Sequence, residues 1–117
     1  RVSISIAFRG MAAKKDRRKD MPIVLDGFID VPVVDMQAVR EALPEHIANT
    51  RAEEGCLTFQ VEPVEDVPGR YRVHEKFVDR AAFDAHQVRV KVSRWGQITR
   101  NVVRHYKVSE MDIADKH

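Results

Sequence analysis

The sequence predicts an α+β protein, a ferredoxin-like βαββαβ sandwich in which two helices cover one face of a four-stranded antiparallel sheet. Two observations predict this fold. Four segments alternate apolar and polar residues with the period of a strand, and two segments repeat apolar residues with the period of a helix. With 117 residues, 44% of them hydrophobic and 32% charged, the chain has the length of one ordinary globular domain.

The first strand is predicted over residues 23–31 and the first helix over residues 35–52. Pro32 ends the strand, and Asp35 is a suitable N-cap for the helix. A proline within a helix removes one backbone hydrogen bond, so we expect the helix to bend at Pro44. The apolar stripe of this helix consists of Met36, Val39, Leu43 and Ile47.

A hairpin follows, with strands predicted over Cys56–Glu62 and Arg70–Val78 and a turn-rich connection between them. Alternation places Leu57, Phe59 and Val61 on the inward face of the first of these strands. On the second strand the inward positions are Tyr71, Val73, Glu75 and Phe77.

The second helix is predicted to begin after its N-cap, Asp79, and to reach Arg94, and the last strand is predicted over Val102–Val108. Both helices are expected on the same face of the sheet. The other face then bears Val24, Phe28 and Cys56 among polar residues, so we expect a second copy of the chain to cover it in a two-fold homodimer.

Charge is concentrated at the start of the chain. Residues 1–20 have a net charge of +5, whereas the remaining residues sum to −3. We therefore interpret residues 1–20 as a basic, disordered extension, residues 21–110 as the folded domain and residues 111–117 as a tail. No basic stripe favours nucleic acid, and no apolar stretch is long enough to span a membrane. A single cysteine forms no internal disulfide, and a cytoplasmic location is expected.

Glu75 and His86 are the candidate acid–base residues. Alternation places the Glu75 carboxylate on an apolar face, where burial raises a carboxyl pKa, unless the position lies at an edge and reaches water. His86 lies on the inner stripe of the second helix, where it could transfer a proton or simply donate to a backbone carbonyl.

No motif for a metal or a nucleotide cofactor occurs in the sequence. Neither HExxH, paired Cys-x-x-Cys nor helical His-x-x-x-His is present, and the glycine-rich phosphate-binding motifs are absent too. Cys56 is expected to be an unreactive small hydrophobe. The sequence therefore predicts no metal site and no cofactor.

Three segments resemble one protein family. Residues 50–59 contain Arg-x-Glu-x-Gly-Cys, residues 72–77 contain Glu75 and Phe77, and residues 79–86 end at His86. Together they are similar to the antibiotic biosynthesis monooxygenase family, over about residues 21–110. The resemblance implies a dimeric α+β barrel that oxidises quinols or polyphenols with dioxygen, without metal or flavin. It differs at Lys91, where a second histidine is frequent, and at Phe77, where tryptophan is frequent.

The resemblance implies that Glu75 and His86 are catalytic. We expect the substrate to lie between helices and sheet, against Leu25, Val73, Phe77, Phe83 and Tyr106. The heme-degrading branch of the family is disfavoured, because Gly27 and Phe77 stand where that branch has asparagine and tryptophan. Two alternatives stay open: an acid–base isomerase of a phosphorylated signalling sugar on the same scaffold, and a non-catalytic dimeric small-molecule-binding protein.

Overall fold

The computed structural model describes residues 21–111, and within them four strands form one antiparallel sheet. The strands are β1 (Ile23–Asp30), β2 (Cys56–Pro63), β3 (Arg70–Phe77) and β4 (Val103–Glu110), in the spatial order β2-β3-β1-β4. Helices pack on one face, so the predicted ferredoxin-like α+β fold is confirmed. The predicted extension, residues 1–20, and residues 112–117 lie outside the described part of the chain.

Three helices connect these strands. A 3-10 turn over Val33–Asp35 leads into α1 (Met36–Arg51), and α2 (Arg80–Lys91) and α3 (Arg94–Ile98) follow β3. Asp79 caps α2 as predicted, since its carboxylate accepts the backbone N–H of Ala82 at 2.8 Å. Asp35 occupies the N-cap position of α1, but its side chain forms no capping hydrogen bond there.

The predicted extent of the second helix was wrong at its C-terminal end. The helix stops at Lys91, and Ser93 begins a new one by accepting the backbone N–H of Gly96 at 3.1 Å. The break places Trp95 in the interior, where its side chain is buried. Pro44 lies inside α1, which is assigned as one continuous helix.

The predicted faces of two residues at the start of β2 were also wrong. The register between β2 and β3 shifts between Cys56 and Thr58, as in a β-bulge. Cys56 therefore lies opposite Phe77 and packs against the core, instead of joining the uncovered face. Leu57 falls within the irregularity and is 51% exposed, whereas Phe59 and Val61 point inward as expected.

The last strand begins one residue later and ends two residues later than predicted, at Glu110. β1 and β4 approach closely at Gly27, where an added Cβ atom would lie 1.9 Å from the carbonyl oxygen of His105. Gly27 is opposite both Val73 and Tyr106, so its small size brings the flanking strands together beside the site described below.

The face of the sheet away from the helices is largely polar. On this outer face the ring of Phe28 stacks on His105, with centroids 4.5 Å apart, and the Arg70 guanidinium lies 4.0 Å from the Phe28 ring centre. Arg70 also forms a bidentate ion pair with Asp30. The outer face therefore combines a small apolar centre with fixed charges.

Among the helices of residues 21–111, none has the length and apolar character needed to cross a membrane.

Candidate active site

A cavity of about 720 Å³ opens where the residues after α1 meet the junction of β3 and α2. We call it the outer cavity. Its apolar wall includes Phe77 and the alanines of α2, and its polar groups are Glu53, Glu54, Asp79, His86 and Arg89. A volume of this size accommodates a small aromatic molecule.

His86 lies at the inner end of the outer cavity and is 4% exposed. Its Nδ1 atom is 3.0 Å from Oε1 of Glu53 and 3.2 Å from Oε2. An ionised carboxylate only accepts hydrogen bonds, so Glu53 holds the neutral imidazole with its proton on Nδ1. The side chain of His86 is therefore satisfied by a carboxylate and not by a backbone carbonyl.

Glu53 is itself held in place from two sides. The Arg89 guanidinium donates to Oε2 of Glu53 and to Oγ1 of Thr50, the latter at 3.1 Å. Gly55 lies against α2, where an added Cβ atom would be 2.3 Å from the Cβ of Ala82. The close packing that glycine permits brings the Glu53 segment within reach of His86.

Glu75 lies behind His86, on the central strand β3, and is 5% exposed. This burial contradicts the interpretation of Glu75 as an edge residue in water. Its Oε1 atom is 3.8 Å from Nε2 of His86 and has no hydrogen-bond partner among the described residues. Burial, with a smaller contribution from the charge of Glu53, raises the pKa of Glu75 to about 7.

A much smaller cavity of about 20 Å³ lies beside Glu75, between the sheet and the side chains of His46 and Trp95. We call it the inner cavity; its walls include Glu75, Val73, Tyr106 and His46. It is large enough for one water molecule and too small for an aromatic substrate. Tyr106 is 38% exposed as a residue, but loss of hydration around its phenol group, and secondarily the charge of Glu75, raises the pKa of Tyr106 to about 12. The phenol therefore stays protonated.

His46 on α1 completes the buried polar group. Its ring stacks on that of Trp95, with centroids 4.4 Å apart and planes 3° apart, and lies 6.3 Å from the ring of His86. Burial is the main reason that the pKa of His46 falls to about 3, and the neighbouring His86 and Arg89 lower it further. The imidazole of His46 is neutral at physiological pH.

The charge state of His86 depends on opposing effects. Burial lowers its pKa, Glu53 raises it through both charge and hydrogen bonding, and Arg89 lowers it again, with a net decrease. His86 is therefore neutral near pH 7, with Nε2 as its basic atom, and it faces a carboxyl that exchanges its proton in the same range. Glu53 and His86 therefore form a hydrogen-bonded acid–base pair at the outer cavity, and Glu75 lies behind this pair, 3.8 Å from Nε2 of His86 and beyond hydrogen-bond distance.

The structure brings together some of the predicted site residues and separates others. Phe77 lies with His86 at the outer cavity, while Val73 and Tyr106 lie with Glu75 at the inner one. Leu25 and Phe83 are buried in the core, and neither lines either cavity.

Three residues near the site were missed in the sequence. Glu53 is the glutamate of the Arg-x-Glu-x-Gly-Cys segment, and its role needed a contact across 33 positions of the chain. Arg89 follows His86 by three residues and so shares its helix face. His46 follows Val39 by seven residues, which places it on the buried stripe of α1.

No group of three or more metal-ligating side chains comes together within residues 21–111.

Comparison with solved structures shows the same fold in bacterial proteins. Protein PA3566 of Pseudomonas aeruginosa is 22% identical, with a TM-score of 0.64 over 80% of this chain and 94% of that one. Protein SO0527 of Shewanella oneidensis is 28% identical, with a TM-score of 0.59 over 79% and 90%. A Nitrosomonas europaea protein, provisionally assigned as an antibiotic biosynthesis monooxygenase, is 17% identical, with a TM-score of 0.63 over 84% and 94%.

Among curated proteins, none matches the chain. The family profile of antibiotic biosynthesis monooxygenases matches residues 22–96, which is more than half of the sequence. The matched region includes β1 to β3, α1 and α2, and it contains Glu53, Glu75 and His86. The chain belongs to the antibiotic biosynthesis monooxygenase family.

Proposed function

We propose that the protein is a cofactor-independent monooxygenase that oxidises a small quinol or polyphenol with dioxygen. The observation that supports this proposal best is the position of His86. It lines an open cavity of substrate size, donates to Glu53 through Nδ1 and faces the buried Glu75 through Nε2. Such an arrangement suits the removal of a proton from a phenolic hydroxyl group in the outer cavity.

The first step of the proposed reaction is deprotonation. A hydroxyl group of the bound quinol gives its proton to the Glu53–His86 pair, and the nearby Glu75 carboxyl stabilises the positive charge that this pair gains. The phenolate that remains is far more electron-rich than the phenol. The proton that the Glu53–His86 pair takes up stays beside the phenolate, so its positive charge offsets the new negative charge, while Phe77 and the alanines of α2 contact the ring.

The phenolate then reduces dioxygen without another electron donor. One electron passes from the phenolate to dioxygen, and the two radicals combine into a peroxide anion on a ring carbon. This anion takes back the proton held at His86 and becomes a hydroperoxide. The ring carbon then loses its hydrogen as a proton while the O–O bond breaks and hydroxide departs, so a new carbonyl forms and the proton and hydroxide leave as water. In sum, a hydroquinone and dioxygen give a hydroxyquinone and water, and the substrate supplies all the electrons.

A proton-transfer isomerase is the second candidate. The pKa of Glu75, about 7, allows this residue to be either acid or base at neutral pH, which is what an isomerisation needs. An isomerase moves a hydrogen within its substrate and consumes no oxygen. A binding protein without catalytic activity would retain the substrate unchanged.

We also propose that the protein is a homodimer whose interface is the outer face of the sheet. Phe28 is the apolar centre of this face, and Asp30, Arg70 and His105 surround it with charged or polar groups. In a two-fold contact, residue i of one copy meets residue j of the other and the reverse, so acidic side chains of one copy can pair with basic side chains of its partner.

The proposal is tested by oxygen consumption with a panel of quinols, together with ¹⁸O₂ labelling of the product. One ¹⁸O atom in the organic product identifies a monooxygenase. Release of hydrogen peroxide, with no ¹⁸O in the organic product, identifies an oxidase. We expect His86→Ala to lose about 10²–10⁴-fold in rate, the contribution of a positioned acid–base group. The control is Gln87→Ala, which removes an exposed side chain next to His86 on α2 that does not line the outer cavity.

Three results would count against the proposal. Unchanged turnover in His86→Ala would remove the assigned role of this residue. Oxygen-independent conversion of a sugar substrate would favour the isomerase. Tight binding of a quinol without conversion would favour the binding protein.

A further inference from the structure

The outer cavity has an unusual balance of charge for a site that would bind an acidic ligand. Among its described lining residues, three are carboxylates, Glu53, Glu54 and Asp79, and a single one is a permanent cation, Arg89. Glu54 is exposed at the mouth, and Glu53 lies beside His86 at the inner end. An anion that enters therefore meets more negative than positive charge among the lining residues.

The guanidinium of Arg89 is already engaged in hydrogen bonds within the protein. Arg89 donates to the Glu53 carboxylate and to the Thr50 hydroxyl, which is fully buried. A bound carboxylate or phosphate could recruit Arg89 only by separating it from Glu53, which would leave a largely buried carboxylate without its counter-charge. The cavity therefore offers an acidic ligand no unengaged guanidinium among the described residues.

The positive end of α2 is occupied as well. Backbone N–H groups at a helix N-terminus attract anions, and Ala81 and Ala82 bring this end of α2 to the cavity wall. Asp79 accepts the N–H of Ala82 at 2.8 Å and so places its own carboxylate where an anionic ligand would bind. A second anion there would be repelled by the first.

We infer that the outer cavity selects uncharged quinols and phenols and rejects analogues that bear a carboxylate or phosphate group. This inference rests on the proposed function, since it narrows the substrate class of the same site. The selection acts through repulsion by Glu54 and Asp79 and through the absence of a spare cation, while Phe77 and the alanines bind the ring. It also disfavours a phosphorylated sugar as the substrate.

The test is a pair of hydroquinones that differ in one charge, methyl gentisate and gentisate. Binding of each to the full chain is measured by calorimetry without oxygen, so that no turnover occurs. We expect the ester to bind at least about tenfold more tightly than the acid, with a ratio that falls as salt is added. Glu54→Lys should reduce the ratio, and Glu65→Lys, an exposed change in the β2–β3 connection, should leave it unchanged.

The outcomes separate the inference from the proposed function. Equal or tighter binding of gentisate, with oxygen consumption on the ester, overturns the charge selection and leaves the monooxygenase standing. Preference for the ester without oxygen consumption supports the selection and contradicts the monooxygenase. If neither compound binds, both the charge selection and the monooxygenase are overturned. If Glu54→Lys and Glu65→Lys change the ratio of the two affinities equally, the charge selection is also contradicted.

Discussion

The Nδ1 atom of His86 lies 3.0 Å from Oε1 of Glu53, although the two residues are 33 positions apart and on different elements. Arg89 holds the other oxygen of Glu53, and Glu75 lies 3.8 Å from the opposite nitrogen of His86. The imidazole is thus held between a paired carboxylate that orients it and a buried carboxyl of raised pKa.

Replacing Glu53 with glutamine should lower the pKa of His86, because the charge and the hydrogen bond of Glu53 both raise it. A glutamine can also turn its amide toward Nδ1 and favour the wrong tautomer. We expect ¹⁵N NMR of the imidazole to show this decrease, and turnover to fall at least about tenfold. Glu54→Gln is the matched control, and an unchanged His86 titration in Glu53→Gln would contradict the orienting role.

Replacing Glu75 with glutamine should stabilise the protein at high pH. The pKa of Glu75 is about 7 in the folded protein and 4.5 in the unfolded chain, so the folded state binds the proton more tightly. Stability from this proton is complete below pH 4.5 and is lost as the pH rises to 7, by up to about 3 kcal/mol. We therefore expect Glu75→Gln to unfold at a higher urea concentration than the wild type at pH 8, and at the same concentration at pH 4.

The reverse result, a gain at pH 4 and none at pH 8, would show that Glu75 is ionised in the folded protein. Glu62→Gln, an exposed change on β2, controls for the loss of one carboxylate.

His46 should make the fold sensitive to acid. The pKa of His46 is about 3 in the folded protein and 6.5 in the unfolded chain. Below pH 6.5 the unfolded chain therefore binds a proton at His46 that the folded protein does not bind. From pH 7 to pH 5 this difference removes about 2 kcal/mol of stability. His46→Phe keeps a ring against Trp95, and we expect its urea midpoint to fall less than that of the wild type over this range. An equal fall in both proteins would show that the His46 imidazole is charged in the folded protein.

The proposed dimer depends on Phe28. Its replacement by lysine would place a second cation beside Arg70 and His105 at the centre of the outer face, where it has no partner. We expect the variant to sediment as a monomer at micromolar concentration while the wild type sediments as a dimer. Val34→Lys, at a residue that is 89% exposed in the 3-10 turn, is the control. A monomeric wild type would refute the proposal.

The order and type of the four strands, α1 and α2 follow from local patterns in the sequence, whereas the break that separates α2 from α3 was not predicted. The inward positions of β1 and β3 were predicted correctly because alternation determines which side of a regular strand each residue faces. At Cys56 and Leu57 the same rule failed, since a bulge adds a residue to one strand and changes its phase. Periodicity contains no information about a bulge that arises from pairing with a neighbour.

The sequence by itself determined that Glu75 would face an apolar layer and that His86 would lie on the inner stripe of a helix, because each position depends on spacing alone. Only the tertiary structure decided what these residues touch. Glu53 reaches His86 after the close contact of Gly55 with α2, and His46 becomes buried when a break in the helix turns Trp95 inward. The division into an outer and an inner cavity arises in the same way, since a cavity is the space that remains when elements distant in the chain pack together.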